Sequence, residues 1–183
     1  MSVEIEIQNF ISQVQNRIKM ENAFEKVIED RKLDKNTWDV AAKRRIGKIV
    51  EEIFKQCFLA EANENAKKHY QIYIEGGEKL PEWWTKRYLL FGSGVYPDIG
   101  VLVPKLEKRI AIELDHSQGI PGSKFKIALA KAAFGYLSHE WDYCYVLFHN
   151  RSGKPMAQYL EGEVEKEILN RYKMLQTRIL IFE

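Results

Sequence analysis

Cysteine and histidine are scarce in this chain: 183 residues include two cysteines, Cys57 and Cys144, and four histidines. The cysteines lie in separate apolar patterns with no Cys-x-x-Cys spacing. That argues against a disulfide framework or a structural zinc site and predicts buried free thiols in a reducing, cytoplasmic setting. Long hydrophobic runs are also missing. Nothing approaches the roughly 18 residues of a membrane-spanning helix, so no membrane partner is expected. An excess of one charge is absent as well, because 28 Lys and Arg face 26 Asp and Glu. Affinity for a polyanion would therefore have to come from a local patch. The opening Met1-Ser2-Val3-Glu4 has neither the basic nor the apolar region of a signal peptide. Repeats and low-complexity tracts do not occur.

What is present suits one globular domain with a good core and a small appendage. Residues 2–35 carry apolar side chains at helical spacing: Ile7, Phe10, Ile11 and Val14, then Phe24, Val27 and Ile28. Asn36-Thr37 offers an N-cap, and a longer helix follows to about Lys68, with Ile46, Ile49, Val50, Ile53, Phe54 and Cys57 on one stripe. From Tyr70 the period changes to two, through Ile72 and Ile74, until Gly76-Gly77. Trp83-Trp84 falls in an aromatic turn region, which suits base stacking or core packing. A hairpin is predicted over 96–115, a helix over 124–138 capped by Ser123, a buried strand over 143–148, a helix over 158–175 and a last strand over 178–182. This order predicts an α/β fold, a mixed central sheet flanked by helices. Residues 1–37 are expected as an N-terminal helical extension and 38–183 as the α/β domain.

The hairpin carries the chemistry. With Pro104-Lys105-Leu106-Glu107 as its loop, Val103 faces Lys108, Val101 faces Ile110, Ile99 faces Ile112 and Asp98 faces Glu113. One face then carries Ile99, Val101, Val103, Ile110, Ile112 and Leu114, all of them apolar. The other holds Asp98, Gly100, Leu102, Arg109, Ala111, Glu113 and Asp115. A one-residue slip would set apolar side chains against polar ones, so the pattern specifies the register. Asp98 and Glu113 then have Cβ atoms about 5 Å apart, with Asp115 on the diagonal. Like charges so placed oppose folding, and a hard divalent cation relieves them.

These residues resemble the PD-(D/E)xK nuclease superfamily of restriction endonucleases, Holliday junction resolvases and repair exonucleases. Pro97-Asp98 is similar to its first motif element and Ile112-Glu113-Leu114-Asp115 to its second. Gly47-Lys48-Ile49-Val50-Glu51 is similar to the helical Gly and Glu of resolvase-like members. The resemblance implies a restriction endonuclease-like core, with Mg2+ or Mn2+ held by Asp98, Glu113, Glu51 and Asp115. Asp115 stands where the superfamily usually has lysine, and a lysine from the next helix is the expected surrogate. Lys124 is the candidate, since Lys124, Ala128, Lys131 and Gly135 share a stripe between apolar flanks.

The expected activity is a metal-dependent deoxyribonuclease, an endonuclease hydrolysing phosphodiester bonds of double-stranded or branched DNA. Lys43, Arg44, Arg45, Lys48 and Lys131 would hold backbone phosphates. Helices 2–35 would serve a homodimer. The missing motif lysine motivates the alternative, a catalytically inactive DNA-binding or assembly protein with the nuclease fold.

Overall fold

The computed structural model describes residues 3–59, 72–76, 89–90, 93–94, 96–103, 106–117, 122–137 and 141–183. Helix α1 (Val3–Met20) buries Ile7, Phe10, Ile11, Val14 and Ile18 along one face. The chain reverses at Asn22, whose φ of 51° lies in the left-handed region that Asn tolerates better than most residues, and α2 (Ala23–Asp34) follows. Thr37 caps α3 (Trp38–Phe54): its Oγ1 accepts from the Val40 N–H at 3.4 Å. The helix continues as a π-helical turn, Lys55–Leu59. The expected extension to Lys68 lies outside the described residues, as do Tyr70 and Trp83-Trp84.

Five strands form the central sheet: β1 (Ile72–Ile74), β4 (Ile99–Val103), β5 (Lys108–Ser117), β6 (Tyr143–Asn150) and β7 (Thr177–Phe182), adjacent in that order. β2 (Leu89–Leu90) and β3 (Ser93–Gly94) pair separately. The β1–β4 and β4–β5 pairs are antiparallel, whereas β5–β6 and β6–β7 are parallel, so the sheet is mixed. Each parallel pair needs a crossover. Helix α4 (Gly122–Leu137) makes the first. The second carries two helices, α5 (Ala157–Leu160) and α6 (Glu163–Met174), where the sequence predicts one over 158–175. The break falls at Gly162, whose backbone is extended, with ψ of 148°.

The period-two pattern of the strands sorts the core into two layers. Ile99, Val101, Val103, Ile110, Ile112 and Leu114 face α1, α2 and α3 in one buried cluster. Ala111, Cys144, Val146 and Phe148 point the other way, into a cluster with Phe125, Ala128, Leu129 and Ala132 of α4. The N-terminal helices expected as an extension thus share the core of the sheet. Their buried stripes, Ile7 to Ile18 in α1 and Ala23, Phe24 and Val27 in α2, pack within the chain. Cys144 is buried and Cys57 half-buried, both as free thiols. Among the described residues no helix is long and apolar enough to cross a membrane.

Candidate functional site

The hairpin of β4 and β5 has the register that side-chain alternation predicts, with Ile99 opposite Ile112, Val101 opposite Ile110 and Val103 opposite Lys108. The Leu106 N–H donates to the Val103 carbonyl at 3.1 Å, and Glu107, with φ of 50°, turns the chain back. One residue before β4, Asp98 lies against β5: its Oδ2 accepts from the Leu114 N–H at 2.7 Å. Asp98 is 9% exposed and its neighbour across the hairpin, Glu113, only 4%. Burial pushes the Glu113 carboxyl up to about 8; the Asp98 charge adds to that rise and Lys131 opposes it.

Lys131 comes from α4. Its Nζ lies 2.7 Å from Glu113 Oε2. Burial alone would lower the ammonium pKa, but Glu113 and Asp98 more than offset it and hold it above the ordinary value. Helix α4 packs on this face of the sheet through Phe125, Ala128, Leu129 and Ala132. Ala128 and Ala132 are buried, and a Cβ on Gly135 would stand 1.9 Å from Cζ2 of Trp141.

A second lysine reaches the carboxylates from α3. Lys43 Nζ lies 2.5 Å from Glu75 Oε2 and 3.1 Å from Asp98 Oδ1. Burial works against its charge, yet Glu75 and Asp98 push its pKa up to about 12. Glu75 is a member of the cluster that sequence reasoning missed. Its N–H donates to the Asp98 carbonyl at 2.9 Å, just beyond the pairing of Ile74 with Ile99. The signal was available: in a strand containing Ile72 and Ile74, Tyr73 and Glu75 fall on the other face.

The remaining expected site residues are dispersed. Gly47 sits against Ile74, a packing reason for its lack of a side chain, and Lys43 sits beside Glu75, so α3 runs antiparallel to β1. Glu51 is therefore carried roughly 12 Å beyond Lys43, away from Asp98. It pairs with Lys55 at 2.9 Å. Asp115 is half-buried, and its Oδ1 accepts from the His116 N–H at 2.7 Å. The His116 ring faces the opposite side of the sheet, stacked on Trp38 with centroids 4.1 Å apart. The side chain of Lys124 lies outside the described residues. Of the basic run, Arg44 pairs with Asp34, Arg45 grips both oxygens of Asp30 at 2.8 and 3.0 Å, and Lys48 is exposed. Lys43, Arg44 and Arg45 are thus engaged by carboxylates of the same chain.

Two oxygens of the cluster suit a hard cation. Glu113 Oε1 is buried with no hydrogen-bond partner among the described residues. Asp98 Oδ1 meets the Lys43 ammonium at 3.1 Å. Among the described residues no three His, Cys, Asp or Glu side chains gather as a metal cage. A magnesium ion commonly takes one or two carboxylates and fills the rest of its shell with water and substrate oxygens, so the pair fits it. A cavity of about 680 Å3 lies elsewhere, where the α1–α2 turn meets the ends of β6 and β7, and holds none of these residues.

Compared with protein-family models, curated proteins and solved structures, the chain has no match.

Proposed function

We propose that the chain is a divalent-cation-dependent nuclease that hydrolyses phosphodiester bonds of DNA, cutting as an endonuclease, on a restriction endonuclease-like core. The observation that carries this reading is the buried convergence of Asp98 and Glu113 from neighbouring strands, with Lys131 2.7 Å from Glu113. Asp98 and Glu113 would hold Mg2+ or Mn2+, which when bound polarises the phosphate and lowers the pKa of a water. Lys131 supplies the positive charge that Asp115 cannot. At Glu113 it is placed to hold a phosphate oxygen or orient the attacking water. The packing of α4 on the sheet holds that ammonium on the carboxylate, so the geometry is set before substrate arrives.

One observation favours the second reading, a DNA-binding or assembly protein without catalysis. Lys43 lies 3.1 Å from Asp98 and Lys131 2.7 Å from Glu113, contacts that a purely structural network would also make. Incubation with supercoiled, linear and branched DNA, each with Mg2+, Mn2+ or EDTA, separates the two. Cleavage that needs metal and is lost in both Asp98→Asn and Glu113→Gln supports the nuclease. Binding without cleavage under every metal supports the alternative.

A further inference from the structure

Asp98 has two carboxylate oxygens with different fates. Oδ2 accepts from the Leu114 N–H at 2.7 Å. Oδ1, the oxygen left for a cation, lies 3.1 Å from Lys43 Nζ. Lys43 lies closer still to Glu75 Oε2, at 2.5 Å. The two partners differ in exposure: the Glu75 side chain is 39% accessible and that of Asp98 only 12%. The Lys43 pair is not what anchors α3, because Ile46, Ile49, Val50, Ile53 and Phe54 of that helix are buried and Gly47 already packs on Ile74.

We infer that Lys43 is a resident counter-ion of Asp98, held in place by Glu75, and that a divalent cation takes Asp98 only by displacing it. This rests on the proposal that Asp98 and Glu113 bind a cation, and it adds how that site is regulated. Lys43 sets a threshold: dilute or weakly bound cations leave the ammonium on Asp98, and stronger competition moves it fully onto Glu75. Glu75 is a positioning residue, since it acts on the cation through Lys43.

The test is Mn2+ binding by calorimetry without nucleic acid, at a pH above the Glu113 value, with folding of each variant checked by its melting curve. Lys43→Gln is expected to bind Mn2+ about tenfold more tightly than the wild type. Because the competing contact is short and mostly buried, the gain should persist from about 0.05 M to about 0.5 M KCl, whereas a long-range charge effect would be screened away. Glu75→Gln frees Lys43 to press on Asp98 and should weaken binding about threefold, but should change nothing when Lys43 is already Gln. If Asp98→Asn abolishes binding while Lys43→Gln stays within twofold of wild type, or its gain vanishes in high salt, the counter-ion inference is overturned and the cation site stands. If Asp98→Asn binds as well as wild type, the cation site itself is wrong. Should Lys43→Gln not fold, Lys43→Met takes its place under the same readings: tighter binding that persists in high salt supports the inference and binding within twofold of wild type overturns it.

Discussion

Lys131 Nζ and Glu113 Oε2 meet at 2.7 Å across the gap between helix α4 and strand β5. The contact sets a positive charge beside the buried glutamate, from a different element. Replacing Lys131 by Met keeps the aliphatic stem and removes the charge. Cleavage of DNA is expected to fall by roughly 10²–10³-fold, the usual loss when one charge-stabilising donor is removed. Initial rates on supercoiled plasmid measure it, and the fold should be retained in the far-ultraviolet spectrum.

The raised pKa of Glu113 makes stability depend on pH. Its carboxyl titrates at about 8 in the folded chain against an ordinary 4.5. The folded state therefore holds this proton longer than the unfolded state, and the stability so gained is complete below 4.5 and lost as pH rises through 8. Glu113→Gln lacks that loss. Metal-free melting curves should coincide near the acid end of this window. At its alkaline end the variant should be the more stable of the two, because only the wild type has lost the linkage.

The same proton competes with a cation. At neutral pH Glu113 is mostly protonated, and cation binding must expel that proton. Apparent Mn2+ affinity is expected to rise about tenfold per pH unit up to the Glu113 value and to level off above it. Calorimetry in buffers of different ionisation enthalpy should show about one proton released per ion at neutral pH.

Gly135 of α4 packs directly on Trp141. A Cβ there would overlap the Trp141 ring at 1.9 to 2.5 Å. Gly135→Ala is expected to destabilise the chain by ~1–3 kcal/mol through overpacking, read as a lower urea midpoint. It should also lower cleavage by shifting Lys131 from Glu113.

Much of this arrangement was legible in the sequence because a strand's side chains alternate with a fixed period. Ile99 and Val101 could pair with Ile112 and Ile110 in one register without mixing apolar and polar faces, and that pairing brought Asp98 to Glu113. Helical spacing marked the buried stripes of α1 and α3 in the same way. It did not reveal how a helix crosses the sheet. The packing of α4 decides that Lys131 reaches Glu113, and the antiparallel run of α3 over β1 brings Lys43 to Asp98 while carrying Glu51 away. Glu75 was obscured by the Gly76-Gly77 break beside it, since its place depends on the pairing of β1 with β4.

The account turns on one divalent ion shared by Asp98 and Glu113. A crystal grown in Mn2+ and measured at the manganese absorption edge tests this directly. An anomalous peak contacting oxygens of both Asp98 and Glu113, with the Lys43 ammonium withdrawn toward Glu75, is the predicted result. An ordered site with both lysines still on their carboxylates and no peak between them would contradict the account.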